Sequence, residues 1–508
     1  MKKTLVALLL CAAATLVATP ARAGATVVNG GFETDAGTAA PTGWSSSGTV
    51  SADFTESGGH SGSYRLSHWS TAAYRVETRQ RLTGLGYGAY TLRVWVRSGA
   101  AGQSWIALRD CGSPDKTTYA PVSSSEWLQV AVTQTVTSGA CTIVLGTSAA
   151  AGGWANFDDV AFARGSSGLA VKGADVSSLA KSEARGGVYR TSSGATGDAL
   201  TILKGGGVNY ARLKVWVNPA DGYNTKTQVL AMARRIKALG MGLLVDFHYS
   251  DTWADPGKQY KPAAWTGYTY DRLKTAVYDH TYDVLSALKA QGTTADMVQV
   301  GNEINDGMLW EDGRSSDFGK LAGLLNSGYA AVKAVSSSTK VVLHLAEGGN
   351  NALFRWWFDS AAARGVAYDV IGVSYYPYWH GTFGAFQANL NDIAARYGKP
   401  VLVVETAYPF STGNEDGLGN IITSAEPVAG YPASPAGQAA MLRDVMSLVQ
   451  AVRDGRGLGV VYWEPTWTAV SGNGWDPADP SSGNGWENQA LFDFGDRALP
   501  ALAEFGHQ

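Results

Sequence analysis

Two patterns of apolar and polar positions divide the chain. Over residues 25–164, apolar and polar residues alternate in short runs such as Tyr90-Thr91-Leu92-Arg93-Val94-Trp95-Val96. Turn signals recur between the runs at Gly58-Gly59, Gly84, Gly86 and Gly152-Gly153. A period of two belongs to half-buried strands, and almost no helical period intervenes, so this segment is expected to be an all-β sandwich. After a short linker at 165–170 the pattern changes. Eight apolar runs follow: VKGADVS (171–177), YARLKVW (210–216), GLLVDFHYS (242–250), MVQVGNE (297–303), KVVLHLA (340–346), VIGVSYYP (370–377), VLVVETAYP (401–409) and GVVYWEP (459–465). Helical patterns lie between them. Val229, Met232, Ile236 and Leu239 fall on one face before Gly240, and Ser434-Pro435 offers an N-cap and first-turn proline ahead of Met441, Val445 and Leu448. Eight strand–helix units predict an α/β fold, a (β/α)8 barrel over 171–508. A doubly wound open sheet is the alternative, but it leaves unexplained why nearly every run ends in polar or aromatic residues.

The N-terminus changes the picture of where the protein works. Lys2 and Lys3 precede an apolar stretch from Leu5 to Val17, and Ala21-Arg22-Ala23 matches a small-residue cleavage site. Residues 1–23 are therefore expected to be a secretory signal peptide, with an extracellular mature chain and no membrane association after cleavage. Export makes a disulfide between Cys111 and Cys141 permissible; two buried thiols are the alternative. The net charge is -3 and charged residues are 16 % of the chain, which argues against a nucleic-acid partner. The 17 Trp and 23 Tyr are a heavy load, part of it available as flat faces for ring ligands. A monomer is expected.

In such a barrel, catalytic groups sit at the C-terminal ends of the strands. Those ends carry Asp175, Arg212 with Trp216, Asp246 with His248, Asn302 with Glu303, His344 with Glu347, Tyr375 with Tyr376, Glu405, and Trp463 with Glu464. One glutamate at a strand end is most simply structural. Two, Glu303 and Glu405, on separate strands among aromatics and an arginine, suit glycosidic bond cleavage, in which one carboxyl protonates the leaving oxygen and the other attacks the sugar or activates water. The amide of Asn302 beside Glu303 marks Glu303 as the acid/base. Glu405 is then the nucleophile, kept ionised by Arg212 and oriented by Tyr376. His344 and His248 lack the HExxH spacing and cysteine partners of a zinc site.

With these residues assembled, the barrel resembles glycoside hydrolase family 53, the arabinogalactan endo-β-1,4-galactanases. The resemblance rests on GADVSSL (173–179), RLKVWVNP (212–219), DFHYSDTWADPGKQYKPAAW (246–265), QVGNEINDGMLW (299–310), LHLAEGGN (343–350), GVSYYPYWHG (372–381), VVETAYP (403–409), YWEPTW (462–467) and NQALFDF (488–494). It implies endo-acting, retaining hydrolysis of β-1,4-galactan, with no cofactor needed for the chemistry. It implies a groove whose walls are assigned to Trp253, Trp265, Trp310, Trp379 and Trp463, with His248, Asn302 and His380 as polar contacts. Another β-1,4-linked polysaccharide, or a non-catalytic glycan-binding surface protein, are the competing readings.

The family resemblance also implies a structural calcium after the seventh strand. The loop there, STGNEDGLGN (411–420), would supply Asn414, Asp416, Asn420 and a carbonyl near Leu418; an ordinary Asn/Asp/Gly turn is the alternative. The sandwich resembles carbohydrate-binding modules, family 61 in particular, through VVNGGFET (27–34) and WANFDDVAFAR (154–164). That likeness would make Glu33 and Asp159 candidate calcium ligands. Trp69, Tyr74 and Trp105 are the candidate stacking rings, with Trp44, Trp127 and Trp154 assigned to the core.

Overall fold

The computed structural model describes residues 26–37 and 40–507; the expected signal peptide, residues 1–23, lies outside the described residues. The N-terminal segment folds as a sandwich of two five-stranded antiparallel sheets. One runs Ser45–Gly48, Tyr74–Thr83, Ala140–Ala149, Ser104–Arg109, Lys116–Tyr119; the other runs Asp53–Ser57, Tyr64–Trp69, Trp154–Arg164, Gly88–Ser98, Ser123–Val136. Alternation decides which side chains meet: Leu92, Val94 and Val96 of one sheet pack with Ile106, Leu108 and Leu145 of the other. The two motifs at the ends of this segment close it. Phe32 is buried against Trp44, and the Val160 amide donates to the Gly30 carbonyl at 2.9 Å. Cys111 and Cys141, both fully buried, form the expected disulfide.

The second segment is a closed barrel of eight parallel strands: β1 (Val171–Asp175), β2 (Tyr210–Val215), β3 (Gly242–Phe247), β4 (Met297–Val300), β5 (Lys340–Leu345), β6 (Val370–Ser374), β7 (Val401–Thr406) and β8 (Gly457–Tyr462). Helices such as Lys226–Ala238, Tyr270–Ala290 and Pro435–Gln450 connect them and cover the outside. The expected caps are used: the Ser434 side chain accepts from the Gly437 amide at the start of the last long helix.

Strand alternation layers the barrel interior. At the N-terminal end, Val171, Leu244, Met297, Val342, Val370 and Val461 form an apolar plug. Two residues further along most strands the same inward phase carries polar groups: Arg212, Asp246, Gln299 and His344, all buried. The plug thus gives the strands a stable base, and the chemistry is confined to the opposite rim. On β7, register breaks relative to β6 and β8 insert an extra residue between Val403 and Glu405. Continued alternation from Leu402 and Val404 would bring Thr406 inward; the irregularity presents Glu405 instead.

The linker does not hang free. Ser167 is buried, accepts from Arg93 at 3.1 Å and donates to the Gln450 carbonyl. The sandwich docks on the barrel's outer helices. Gln129 and Gln387 exchange backbone–amide hydrogen bonds of 2.8 and 2.7 Å, and Leu128 is buried in the barrel's own hydrophobic core.

The disulfide closes a sequence separation of 30 residues. Chain entropy alone assigns such a loop about 3–4 kcal/mol of stabilisation. Replacing both Cys111 and Cys141 with alanine is expected to lower sandwich stability by about that much, measured by denaturant unfolding, and to leave the barrel's own unfolding transition unchanged.

Candidate active site

The rim is organised around one buried cation. Arg212 on β2 is 1 % exposed. Its Nη1 donates to Asp175 of β1 at 2.7 Å and lies 2.9 Å from Oε1 of Glu405 on β7. Its Nη2 donates to Asp246 of β3 at 3.0 Å, to Gln299 of β4 at 3.2 Å and to Asn302 at 2.8 Å. One guanidinium thus serves three carboxylates on three strands. A planar five-donor group is the side chain able to do so.

Glu405 is buried, with Oε1 against Arg212 and Oε2 accepting from the Tyr376 hydroxyl at 2.9 Å. Burial pushes its pKa up to about 7, against the pull of Arg212 and with a further push from Asp175 and Asp246. Glu303, half-buried, faces the same cavity. Its pKa is held well above the usual carboxylate range, first by desolvation and then by the charge of Glu405, with the Ser374 hydroxyl and the charge of Arg212 pulling the other way. The pair is therefore differentiated by its contacts: Glu405 meets Arg212 and the Tyr376 hydroxyl, whereas Glu303 accepts from the Ser374 hydroxyl.

The backbone that delivers Glu303 is unusual. β4 ends at Val300, Gly301 turns at φ 85°, and Glu303 itself stands at φ 46°. A β-carbon on Gly301 would sit 2.6 Å from Ile304 Cγ2, so only glycine suits this turn. Left-handed non-glycine residues recur at the same level of the rim, at Tyr249, Glu347 and Glu464, a backbone strain typical of functional sites.

A relay orients the Glu303 carboxyl. His344 Nδ1 accepts from Gln299 Nε2 at 2.9 Å and from the Glu303 amide at 3.3 Å, which leaves Nε2 as the protonated nitrogen. Nε2 then donates to Ser374 Oγ at 2.7 Å, and Ser374 donates to Glu303 Oε1 at 2.7 Å. Burial and the nearby Arg212 hold His344 neutral, as this chain of donors requires. Asn302 is engaged by Arg212 and Gln299 through its oxygen, and its nitrogen donates to the Ala254 carbonyl at 2.8 Å. That leaves one amide hydrogen for a ligand.

Both glutamates line one cavity of 540 Å³. Its walls include Trp253, Trp379, Trp463, Trp467, Trp475 and Trp486. Trp463 and Trp486 meet edge to face at 4.7 Å, and Lys214 lies 3.7 Å from the centroid of Trp253 while paired with Glu464 at 2.8 Å. Indole faces beside buried, hydrogen-bonded carboxylates make a cleft suited to pyranose rings, which offer an apolar face and a rim of hydroxyls.

The family profile described as "Glycosyl hydrolase family 53" matches residues 171–505. The chain belongs to glycosyl hydrolase family 53. Among the similar proteins are the endo-β-1,4-galactanase of Bacillus subtilis, 37 % identical over 66 % of this chain and 86 % of that one. The arabinogalactan endo-β-1,4-galactanase of Cellvibrio japonicus is 38 % identical over 66 % of this chain and 89 % of its own. The solved catalytic domain from Ignisphaera aggregans superposes with a TM-score of 0.64 at 41 % identity, covering 66 % of this chain and 95 % of that domain.

Within this family 53 barrel, the rim gathers around the cleft Arg212, His248, Asn302, Glu303, Tyr376, Glu405 and Trp463 from the strand ends, with Trp253, Trp379 and His380, which the family resemblance had assigned to the groove. Two expected wall residues stand elsewhere. Trp265 is buried in the hydrophobic core, edge-on to His280. Trp310 lies outside the cleft, capped by Arg314 at 3.8 Å and donating to the Asp306 carbonyl at 2.7 Å. Sequence reasoning missed Ser374 and the Lys214–Glu464 pairing, and it missed Trp467, Trp475 and Trp486. Gln299 and Lys214 did carry a signal, as polar residues at inward phase within otherwise apolar runs.

In the 411–420 loop the residues expected to hold calcium bond to one another and to neighbouring backbone. Asn414 accepts from the Gly417 amide at 2.7 Å and donates to the Leu418 carbonyl, the oxygen assigned to the metal. Asp416 accepts from the amides of Leu418 and Asn484, and Asn420 donates to the Gly413 carbonyl at 2.7 Å while its own oxygen has no partner. The hydrogen bonds of Asn414 and Asp416 to amides two and three residues on are those of Asx turns. In the sandwich, Glu33 accepts from the amides of Ser63 and Tyr64, both at 2.8 Å, and Asp159 is paired with His60 at 2.6 Å. Among the described residues, no group of three or more His, Cys, Asp or Glu side chains is arranged to hold a metal ion. Of the candidate stacking rings, Trp69 is exposed, whereas Tyr74 is buried and Trp105 folds over Gly146.

A carboxyl whose folded pKa is raised opposes folding as pH climbs above its unfolded value, and this penalty is complete above the folded value. Glu303→Gln is therefore expected to raise the melting temperature at pH 7 and to have no such effect near pH 4. Parallel thermal scans of wild type and variant at the two pH values check this.

Proposed function

We propose that the protein is a secreted, endo-acting β-1,4-galactanase that retains anomeric configuration. The observation that carries this reading is the pair of glutamates on one indole-walled cleft, Glu405 held by Arg212 and Tyr376 and Glu303 by Ser374. The names of the relatives support galactan as the substrate, and the N-terminal charged-then-apolar segment supports secretion. Among the described residues no helix is long and apolar enough to cross a membrane.

In this mechanism the Glu405 carboxylate attacks the anomeric carbon as the glycosidic C–O bond breaks, and the departing oxygen takes the proton from Glu303. Arg212 and Tyr376 hold the attacking carboxylate in line. The resulting ester carries no charge, so the repulsion that raised the Glu303 pKa is gone. Glu303, now ionised, removes a proton from water, which displaces the sugar from Glu405 and restores both groups. Ser374 and His344 keep the Glu303 carboxyl facing the scissile oxygen in both steps. The sandwich is read as a carbohydrate-binding module, with the exposed ring of Trp69 as its stacking surface.

Debranched β-1,4-galactan, mannan, xylan and cellulose should be offered to wild type and to Glu405→Gln, with products separated by size. Short galacto-oligosaccharides from galactan alone are expected, with the variant slower by a factor of about 10³ or more. Preferred release from mannan or xylan would move the assignment to another β-1,4-linked polymer, and no release from any would favour a binding protein. Proton NMR of the first products is expected to show the β-anomer; initial α-anomer would exclude the double displacement.

The pH dependence has a defined sign. Activity should fall as pH drops through the range in which the Glu405 nucleophile becomes protonated, and again as pH rises through the raised range in which Glu303 loses its proton. With an aryl glycoside whose leaving group needs no proton, Glu303→Gln should lose only the alkaline limb of kcat/KM for glycosyl-enzyme formation.

A further inference from the structure

A second groove, of 450 Å³, lies where the sandwich meets the barrel. On the sandwich side it is walled by Val122 and Ser123–Glu126; on the barrel side by the loop after β6, from Tyr375 to Phe383, and by Pro427–Tyr431 after β7. Trp379 is common to this groove and to the catalytic cleft, and its ring is 53 % exposed. The two concavities therefore adjoin across one indole.

The groove is held open by hydrogen bonds rather than left as an accidental gap. Glu126 accepts from Thr382 Oγ1 at 3.1 Å and from the Gly384 amide at 3.3 Å, at the start of the helix Phe383–Tyr397. The Val122 amide donates to the Tyr431 hydroxyl at 2.9 Å, which donates in turn to buried Asp444 at 2.7 Å. Ser123 bridges its own turn, accepting from the Glu126 amide at 3.2 Å and donating to the Glu126 carbonyl at 2.6 Å. Three consecutive serines keep the sandwich wall low, and Ser124 and Ser125 are exposed. Opposite them stand aromatic residues, Tyr378 meeting Trp379 edge to face at 4.8 Å. The exposed Trp379 indole on one side and the exposed serines on the other can meet the apolar face and the hydroxyl rim of a sugar.

We propose that this groove is a distal subsite for the same polysaccharide chain, so that a polymer bound at Glu303 and Glu405 continues past Trp379 and is gripped between barrel and sandwich. The occupant follows from continuity with the cleft through the exposed indole of Trp379, which both share. The sandwich would then belong to the substrate path of the enzyme as well as carrying any binding face of its own. This rests on the galactanase reading of the cleft.

The test fills the groove from the sandwich side, away from the catalytic residues. Ser124→Trp and Ser125→Trp, each in the full chain, are assayed on long debranched galactan and on a chromogenic aryl β-galactobioside that reaches only the cleft. The expected result is a KM for the polymer raised roughly tenfold, equivalent to about 1.4 kcal/mol, with kcat/KM on the short substrate unchanged. An unchanged polymer KM in both variants would overturn the proposal and leave the groove a seam between domains. Equal losses on both substrates would also overturn it, because the effect would then act through the cleft or the fold. A wild type inactive on galactan would instead sink the reading of the cleft itself.

Discussion

Arg212 is the constraint on which the rim depends. Its guanidinium is buried, and so are the three carboxylates around it on β1, β3 and β7. A charge removed from water must be compensated nearby, and truncating a buried ion pair on one side costs about 3–5 kcal/mol. The arginine therefore does two things with one set of contacts. It draws four strands to a common point, through Asp175, Asp246, Gln299 and Glu405, and it favours the ionised form of the last of these. Without it, three negative charges would crowd a site whose chemistry needs one.

The second glutamate is tuned by what it lacks. Glu303 receives one hydroxyl from Ser374 and no cation in contact, so burial and its neighbour's charge decide its state. Function here runs against stability: a group kept protonated by desolvation is one the fold would rather not ionise. The left-handed backbone at Glu303, Glu347 and Glu464 belongs to the same pattern, a rim carrying strain above an apolar plug that supplies the stability.

The eight barrel strands were legible because a parallel sheet covered on both faces writes itself as apolar runs, and the polar tails of those runs became the rim. Glu303, Glu405, Arg212 and Tyr376 could be placed from those tails, since the barrel topology brings strand ends together whatever the side-chain details. Residues on long loops were another matter. Trp265 and Trp310 sit in loops whose course depends on tertiary packing, and one turned inward to His280 while the other was claimed by Arg314. Trp475 and Trp486 reach the cleft from the long segment after β8, for which periodicity has nothing to say. The 411–420 loop could not be decided from the sequence, because Asn, Asp and Gly at short spacing are the vocabulary of both metal loops and ordinary turns. In the sandwich, Trp105 and Tyr74 alternate as surface and core residues do, but the missing side chain of Gly146 lets the Trp105 ring lie flat and buried.

The reciprocal amide pair between Gln129 and Gln387 has a consequence for how the two domains cooperate. Modules joined by a loose tether raise each other's local concentration in proportion to tether length, and they tolerate almost any path of the polymer between them. Here Ser167 and Arg93 pin the short connection, and Leu128 is sunk into the barrel's core, so spacing and bearing are set by packing. Cooperation becomes a matter of fit. A polymer whose path matches the fixed spacing of sandwich and cleft engages both domains at once, with no slack in the connection to adjust it.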